Sequence, residues 1–138
     1  MTSLIPEQYR DLIDGPLVVT LTTLMPDGRP QSTIVWCNSE DQYILVNTAV
    51  GRQKPKNIAR DPRVTIMAID TTRPYRRLEV RGVVVESTEI GAVEHINQLA
   101  ALYTGNASYY GGVAAADMAQ KETRIMYKIK PEYVVAEG

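Results

Sequence analysis

Pro26-Asp27-Gly28-Arg29-Pro30 separates two β-branched, partly alternating runs, Leu17–Met25 and Gln31–Cys37. Proline fixes φ and glycine accepts positive φ, so the separator turns the two runs back on each other as a hairpin. A second turn, Asn38-Ser39-Glu40-Asp41, leads to a third apolar run at Tyr43–Asn47. Further strand-like runs lie at Arg63–Ile69, Arg76–Glu86 and Thr123–Lys130, the last closed by Pro131. In Arg63–Ile69, Val64, Ile66 and Ala68 share one face and Thr65, Met67 and Ile69 the other, and both read as covered. Gly82 interrupts the alternation of the long Arg76–Glu86 run, which predicts a bulge or a close backbone approach where that strand bends.

Helical periodicity is confined to a few places. Ile5, Tyr9, Leu12 and Ile13 fall on one side of a short helix over Pro6–Ile13 that ends at Gly15-Pro16. Glu89–Tyr103 is the strongest helix, with Ile90, Val93, Ile96, Leu99 or Ala100, and Tyr103 as its apolar stripe and Thr88 as N-cap. Thr104–Gly112 reads as a loop, and Val113–Gln120 as a short helix. The last strand alternates Ile125, Tyr127 and Ile129 with a wet face of Arg124, Met126, Lys128 and Lys130. Six strands joined mostly by short turns predict a mainly β fold with attached helices, a six-stranded antiparallel barrel whose closure removes exposed edges.

The stretch Asn47-Thr48-Ala49-Val50-Gly51-Arg52-Gln53-Lys54-Pro55-Lys56-Asn57-Ile58 joins the third strand to a helical segment that stops at Asp61-Pro62. Its cations therefore sit where a helix begins, beside unpartnered N–H groups and the positive end of the helix dipole. Arg52 offers a planar fork to phosphate oxygens and Lys54 a mobile point charge. A solvated basic loop beside a turn has the same sequence, and these residues alone do not separate the two readings.

A chain of 138 residues is the length of one domain, so residues 1–138 are expected to form a single unit. With 44% apolar and 22% charged residues it has ordinary globular composition, and a net charge of -1 argues against a general nucleic-acid or membrane-surface binder. Cys37 has no partner for an internal disulfide, and Met1-Thr2-Ser3-Leu4-Ile5-Pro6 carries neither a basic region nor a long apolar segment, so a cytoplasmic location is expected. A single histidine and a single cysteine give no zinc spacing and no Cys-His nucleophile signature. Trp36 and Cys37 read as packing residues, with a border of the substrate cavity as the alternative for Trp36, and His95 reads as a surface or interface residue of the long helix. Tyr103, Tyr109 and Tyr110 read either as an aromatic flap or as part of a dimer contact.

Taken in order, the Thr-Leu-Thr-Thr-Leu-Met-Pro-Asp-Gly-Arg-Pro-Gln hairpin, Asn-Thr-Ala-Val-Gly-Arg-Gln-Lys-Pro-Lys-Asn, Arg-Asp-Pro-Arg-Val and Leu-Glu-Val-Arg-Gly resemble the split-barrel flavin and deazaflavin oxidoreductases. That superfamily includes pyridoxamine 5'-phosphate oxidase. The resemblance covers nearly the whole chain and is strongest to the branch that uses the deazaflavin coenzyme F420; related members use FMN. It implies a homodimeric split barrel with the cofactor at the subunit interface.

The resemblance also implies roles for particular residues. Arg52 and Lys54 match the phosphate-binding Arg-x-Lys pair, with Lys56 a following basic position, and Gln31, Ser32, Thr33 and Ile34 match the edge that meets the tricyclic ring. Asn47 and Thr48 fall beside the phosphate site, while Tyr75, Arg76 and Arg77 match the position from which the neighbouring subunit reaches the cofactor. The implied reaction is hydride transfer from reduced F420 to a planar, unsaturated organic substrate, without a dedicated catalytic side chain or a metal. An FMN-dependent flavoprotein and a non-catalytic flavin-binding module are the alternatives. The ending Pro131-Glu132-Tyr133-Val134-Val135-Ala136-Glu137-Gly138 lacks the Arg- and His-rich terminus of the pyridoxamine phosphate oxidases, which argues against vitamin B6 oxidation.

Overall fold

The computed structural model describes residues 4–138, so the Met1-Thr2-Ser3 part of the N-terminal reading lies outside the described residues. A 3-10 turn (Glu7–Tyr9) and a short helix α1 (Asp11–Asp14) replace the single predicted helix and insert Leu12 and Ile13 fully into the core. Strands β1 (Val19–Leu24) and β2 (Pro30–Val35) form the hairpin, with Leu24 opposite Pro30. Within its turn Gly28 adopts φ +87° while its N–H donates to the Met25 carbonyl at 2.9 Å, a conformation that needs glycine.

Five further strands follow: β3 (Cys37–Glu40), β4 (Tyr43–Ala49), β5 (Arg63–Ile69), β6 (Arg77–Thr88) and β7 (Arg124–Glu137). All pairings are antiparallel, in the order β2-β1-β5-β6-β7-β4-β3, so the sheet has seven strands rather than six. The additional strand is β3, which the sequence presents as a turn. Its polar residues Asn38, Ser39 and Glu40 suit a sheet edge, where only one side of the backbone must pair. β2 and β3 stand at opposite ends of this order although only Trp36 separates them in the chain. The sheet curls back on itself as a split barrel around Leu21, Ile44, Val46, Ile66, Leu78, Val80 and Ile129.

Two further expectations change. Only one face of β5 is buried, through Val64, Ile66 and Ala68, while Ile69 is exposed. The last strand also runs through Pro131 to Glu137. Pro131 lies opposite Gly82 at a shift in the β6–β7 register, where the ladder is irregular and a missing N–H is tolerated. Gly82 is the predicted close approach: a Cβ there would lie 2.5 Å from the Lys130 carbonyl oxygen.

The basic stretch leads into α2 (Gln53–Arg60), and the long helix α3 (Ala92–Thr104) packs on β4 and β7. Its N-cap is Gly91, not Thr88; the Thr88 hydroxyl instead accepts the Ile90 N–H at 3.0 Å in the turn before the helix. The buried stripe is Ala92, His95, Ile96, Leu99 and Ala100, while Ile90 and Val93 are exposed. His95 therefore faces the sheet rather than the surface. A 3-10 turn at Ala116–Gln120 stands in place of the short helix expected there and precedes β7.

Candidate functional site

Where β4 ends and α2 begins, the chain opens a cleft of about 220 Å³. One wall comes from the β2 end, as Ile34, Val35 and Trp36; the opposite wall is cationic, with Arg52, Lys54 and Arg124. Asn47 and Thr48 lie between them, and Tyr109 and Val113 of the loop after α3 complete the rim. Trp36 stacks on Tyr103 with ring centroids 5.2 Å apart, and Tyr109 meets Trp36 edge-on at 6.1 Å. Tyr103 is pinned: its hydroxyl accepts the Cys37 N–H at 3.0 Å and donates to the Leu17 carbonyl at 2.8 Å. Trp36 thus borders the cleft, while Cys37 is buried and its thiol is pushed up to about 12 by desolvation, as suits a packing residue.

Beneath the cationic wall runs a buried hydrogen-bond relay. Arg124 Nε donates to Asn47 Oδ1 at 2.9 Å, leaving the Asn47 amide to donate to the Ala92 carbonyl at 2.8 Å and to His95 Nδ1 at 3.0 Å. His95 must then carry its proton on Nε2, which meets Asn38 Oδ1 at 2.9 Å. Each member has one consistent orientation. Burial first, and then the nearby Arg124 charge, lower the His95 pKa to about 4, so the ring is neutral near pH 7.

The cations are only partly compensated. Glu122 meets Arg52 Nη2 at 2.7 Å and accepts the Tyr110 hydroxyl at 2.9 Å. Lys54 is half-buried, and its pKa is lowered by desolvation and then by repulsion from Arg52 and Arg124, with no carboxylate pulling the other way. The Thr48 hydroxyl and Arg124 Nη1 are buried without a hydrogen-bond partner. Buried polar atoms of this kind cost free energy unless something satisfies them. An anion with several acceptor oxygens suits this cationic wall.

Of the residues singled out from sequence, the cleft brings together Ile34, Asn47, Thr48, Arg52 and Lys54. Gln31 turns to α2, where its Oε1 accepts from Asn57 at 3.2 Å, and the Ser32 hydroxyl pairs with Thr22 at 2.9 Å. Thr33 lies opposite Leu21 in the hairpin, its hydroxyl buried and unpartnered. Lys56 is exposed on α2. Tyr75, Arg76 and Arg77 are not part of this cleft in one chain: Tyr75 is 86% exposed, and Arg77 pairs with Glu137 at 2.9 Å. Arg76 is held by Asp11 at 2.7 Å and Asp70 at 3.1 Å.

Sequence reasoning missed Arg124, Glu122 and His95 as parts of the site. Arg124 falls on the alternation assigned to a wet face, yet it is 5% exposed. Only the pairing of β7 with β4, which sets Arg124 opposite Ala49 and within reach of Asn47, reveals that role. Among the described residues no group of three or more His, Cys, Asp or Glu side chains is placed to hold a metal, and no helix is long and apolar enough to cross a membrane.

Comparison with known proteins agrees with this fold. Residues 5–136 match the family model described as pyridoxamine 5'-phosphate oxidase, and the chain belongs to that family of flavin-binding split barrels. Among solved structures it is similar to an F420 reductase, with 29% identity and a TM-score of 0.80 over 95% of this chain and 98% of that one. A conserved hypothetical protein from Mycobacterium tuberculosis shares 24% identity at a TM-score of 0.72, covering 98% of this chain and 86% of the other. The heme storage protein HutZ from Vibrio cholerae shares 18% at 0.65, over 99% and 96%. The last two likenesses are of fold alone. Comparison with curated protein sequences gives no significant match.

Proposed function

We propose that this chain is an oxidoreductase that uses the reduced deazaflavin coenzyme F420 to reduce a planar, unsaturated organic substrate. The observation that carries this reading is the pairing, in one cleft, of an apolar aromatic wall with under-compensated cations at the start of α2. The first suits a flat ring and the second its phosphate. The similarity to an F420 reductase supports the deazaflavin over FMN. The exposed Lys56 offers a further cation for an acidic tail beyond the phosphate.

When bound, the coenzyme supplies the hydride; the chain supplies binding, orientation and exclusion of water. Arg52 and Lys54 would hold the phosphate with Asn47 and Thr48 beside it, and the Gln31–Ile34 edge would meet the ring through its backbone and Ile34, since the Gln31 and Ser32 side chains are engaged by Asn57 and Thr22. Ile34, Val35 and Trp36 keep water from that side of the cleft. His95 does not serve as a proton donor, because it is neutral and both ring nitrogens are engaged. The same engagement disfavours axial ligation of a heme by this sole histidine.

In this reading the working form is a homodimer in the cytoplasm, and a second copy completes the site through its Tyr75, Arg76 and Arg77 segment. Arg76 is already committed to Asp11 and Asp70, so Tyr75 has the surface best suited to that contact.

Parallel titration of cofactor-free protein with F420 and with FMN, followed by fluorescence, tests the proposal. Preference for F420, together with oxidation of its reduced form by an artificial acceptor, is the expected result. Preference for FMN moves the chain to the flavin-dependent branch, and binding without turnover identifies a carrier module.

A further inference from the structure

Arg124 is unusual in two respects. It is 5% exposed, and its Nη1 has no hydrogen-bond partner; the carboxylate nearest to it is Glu122, whose Oε1 is 3.5 Å away. Its Nε is fixed by Asn47 and its guanidinium lies 5.0 Å from the Tyr109 ring centroid, so the group is held in place while one edge of its fork goes unused. Burying a guanidinium is unfavourable unless its donors are met. The same Glu122 carboxylate binds Arg52 at 2.7 Å through its other oxygen. One carboxylate therefore spans two guanidiniums, tightly on Arg52 and loosely on Arg124, at the cationic wall of the cleft.

We infer that Arg124 is a third cationic ligand for the anion that binds in the cleft, and that Glu122 is a displaceable carboxylate holding that anion's place between Arg52 and Arg124. This rests on the reading that the cleft takes a phosphate-bearing cofactor. The fitting class is a phosphate or comparable oxyanion with at least two free acceptor oxygens, one for each guanidinium. A carboxylate already seated there competes with the incoming anion. Its removal by charge-neutral replacement therefore strengthens binding, whereas loss of Arg124 weakens it.

The two parts give opposite predictions for neighbouring residues. Purified full-length protein is titrated with FMN, F420, riboflavin as a ring without phosphate, and pyrophosphate as an anion without ring, following the emission of Trp36. Arg124→Gln is expected to weaken FMN, F420 and pyrophosphate binding by about tenfold or more, the scale of one charge-assisted contact, with riboflavin unchanged. Glu122→Gln is expected to tighten the phosphate-bearing probes severalfold. Because Glu122 is not in the barrel core, that variant keeps the inference testable if Arg124→Gln does not fold.

Unchanged phosphate affinity in folded Arg124→Gln, equal loss of riboflavin, or weaker anion binding in Glu122→Gln overturns the inference. In any of these cases, coenzyme binding by the unmodified protein leaves the cofactor reading standing. Conversely, an Arg124-dependent response to pyrophosphate without binding of FMN or F420 keeps the anion site and removes the cofactor reading. No response of the unmodified protein to any probe removes both.

Discussion

His95 and Asn47 share a buried hydrogen bond of 3.0 Å in which only one protonation state of the ring fits, because the Asn47 amide group can donate but not accept. A proton on Nδ1 would face another N–H and would release Asn47 from Arg124. The bond thus ties the charge state of the chain's one histidine to the cationic wall of the cleft.

This relationship predicts an acid-sensitive stability. The folded-state pKa of His95 is depressed to about 4 against an ordinary value of 6.5, so the unfolded chain binds the proton more tightly. The neutral ring's contribution is fully present above about pH 6.5 and declines as pH falls toward 4, by about 3 kcal/mol in all. Urea unfolding at pH 7, 5.5 and 4 should show this slope. Replacement His95→Asn should flatten that part of the curve, and an unaltered slope would show that other groups set it.

The phosphate clamp predicts losses in binding without matching losses in stability. Arg52→Ala and Lys54→Ala should each lower affinity for the phosphate-bearing coenzyme by at least about tenfold, since a charge-assisted hydrogen bond contributes roughly 1.5–3 kcal/mol. Neither side chain is buried, so thermal midpoints should move little. Wild-type affinity in both variants would remove the clamp.

Asn57 predicts the converse. It is fully buried in α2, donating to Thr23 Oγ1 at 3.0 Å and to Gln31 Oε1 at 3.2 Å while accepting from Gln53 at 2.8 Å. Asn57→Ala strands several buried polar groups and should destabilise the fold by about 2–4 kcal/mol in denaturant titration. A loss below about 1 kcal/mol would mean that water replaces the amide without difficulty.

Gly82→Ala should cost about 2–3 kcal/mol, because the added methyl meets the Lys130 backbone at 2.5 Å and the bulged β6–β7 ladder must shift. At Gly28 a Cβ meets nothing within 4 Å, and only its φ of +87° opposes a side chain. Gly28→Ala should therefore cost less, about 1 kcal/mol. Equal midpoints for the two variants would contradict this ordering.

Much of the barrel was legible because strand alternation and turn chemistry are local: the β1–β2 hairpin, Arg63–Ile69 and the bend at Gly82 all follow from neighbouring residues. The basic stretch was legible for the same reason. Where the reading failed, a distant partner decided the outcome. Asn38-Ser39-Glu40 becomes a strand only because β4 lies beside it, and Pro131 stays within β7 only because Gly82 admits an irregular pair. The apolar Ile90 is exposed while the polar His95 is buried, since Gly91 starts the helix later and Asn47 and Asn38 satisfy the imidazole. Glu122 joins the cleft from the loop after α3, which carries no periodic signal, while Arg124 opens β7 on the alternation read as wet and is buried only because β4 pairs beside it.

The single residue between β2 and β3 makes Trp36 a kinetic marker as well as a cleft wall. The two strands it joins stand at opposite ends of the sheet, and the stack on Tyr103 adds α3 to them, so its native environment needs contacts that span a large separation in sequence. Such pairings close late, because the entropy of the intervening loop must be overcome first. The meeting of the two sheet ends and the forming of the cleft wall then share one residue, and the emission of this one tryptophan is expected to follow both during refolding.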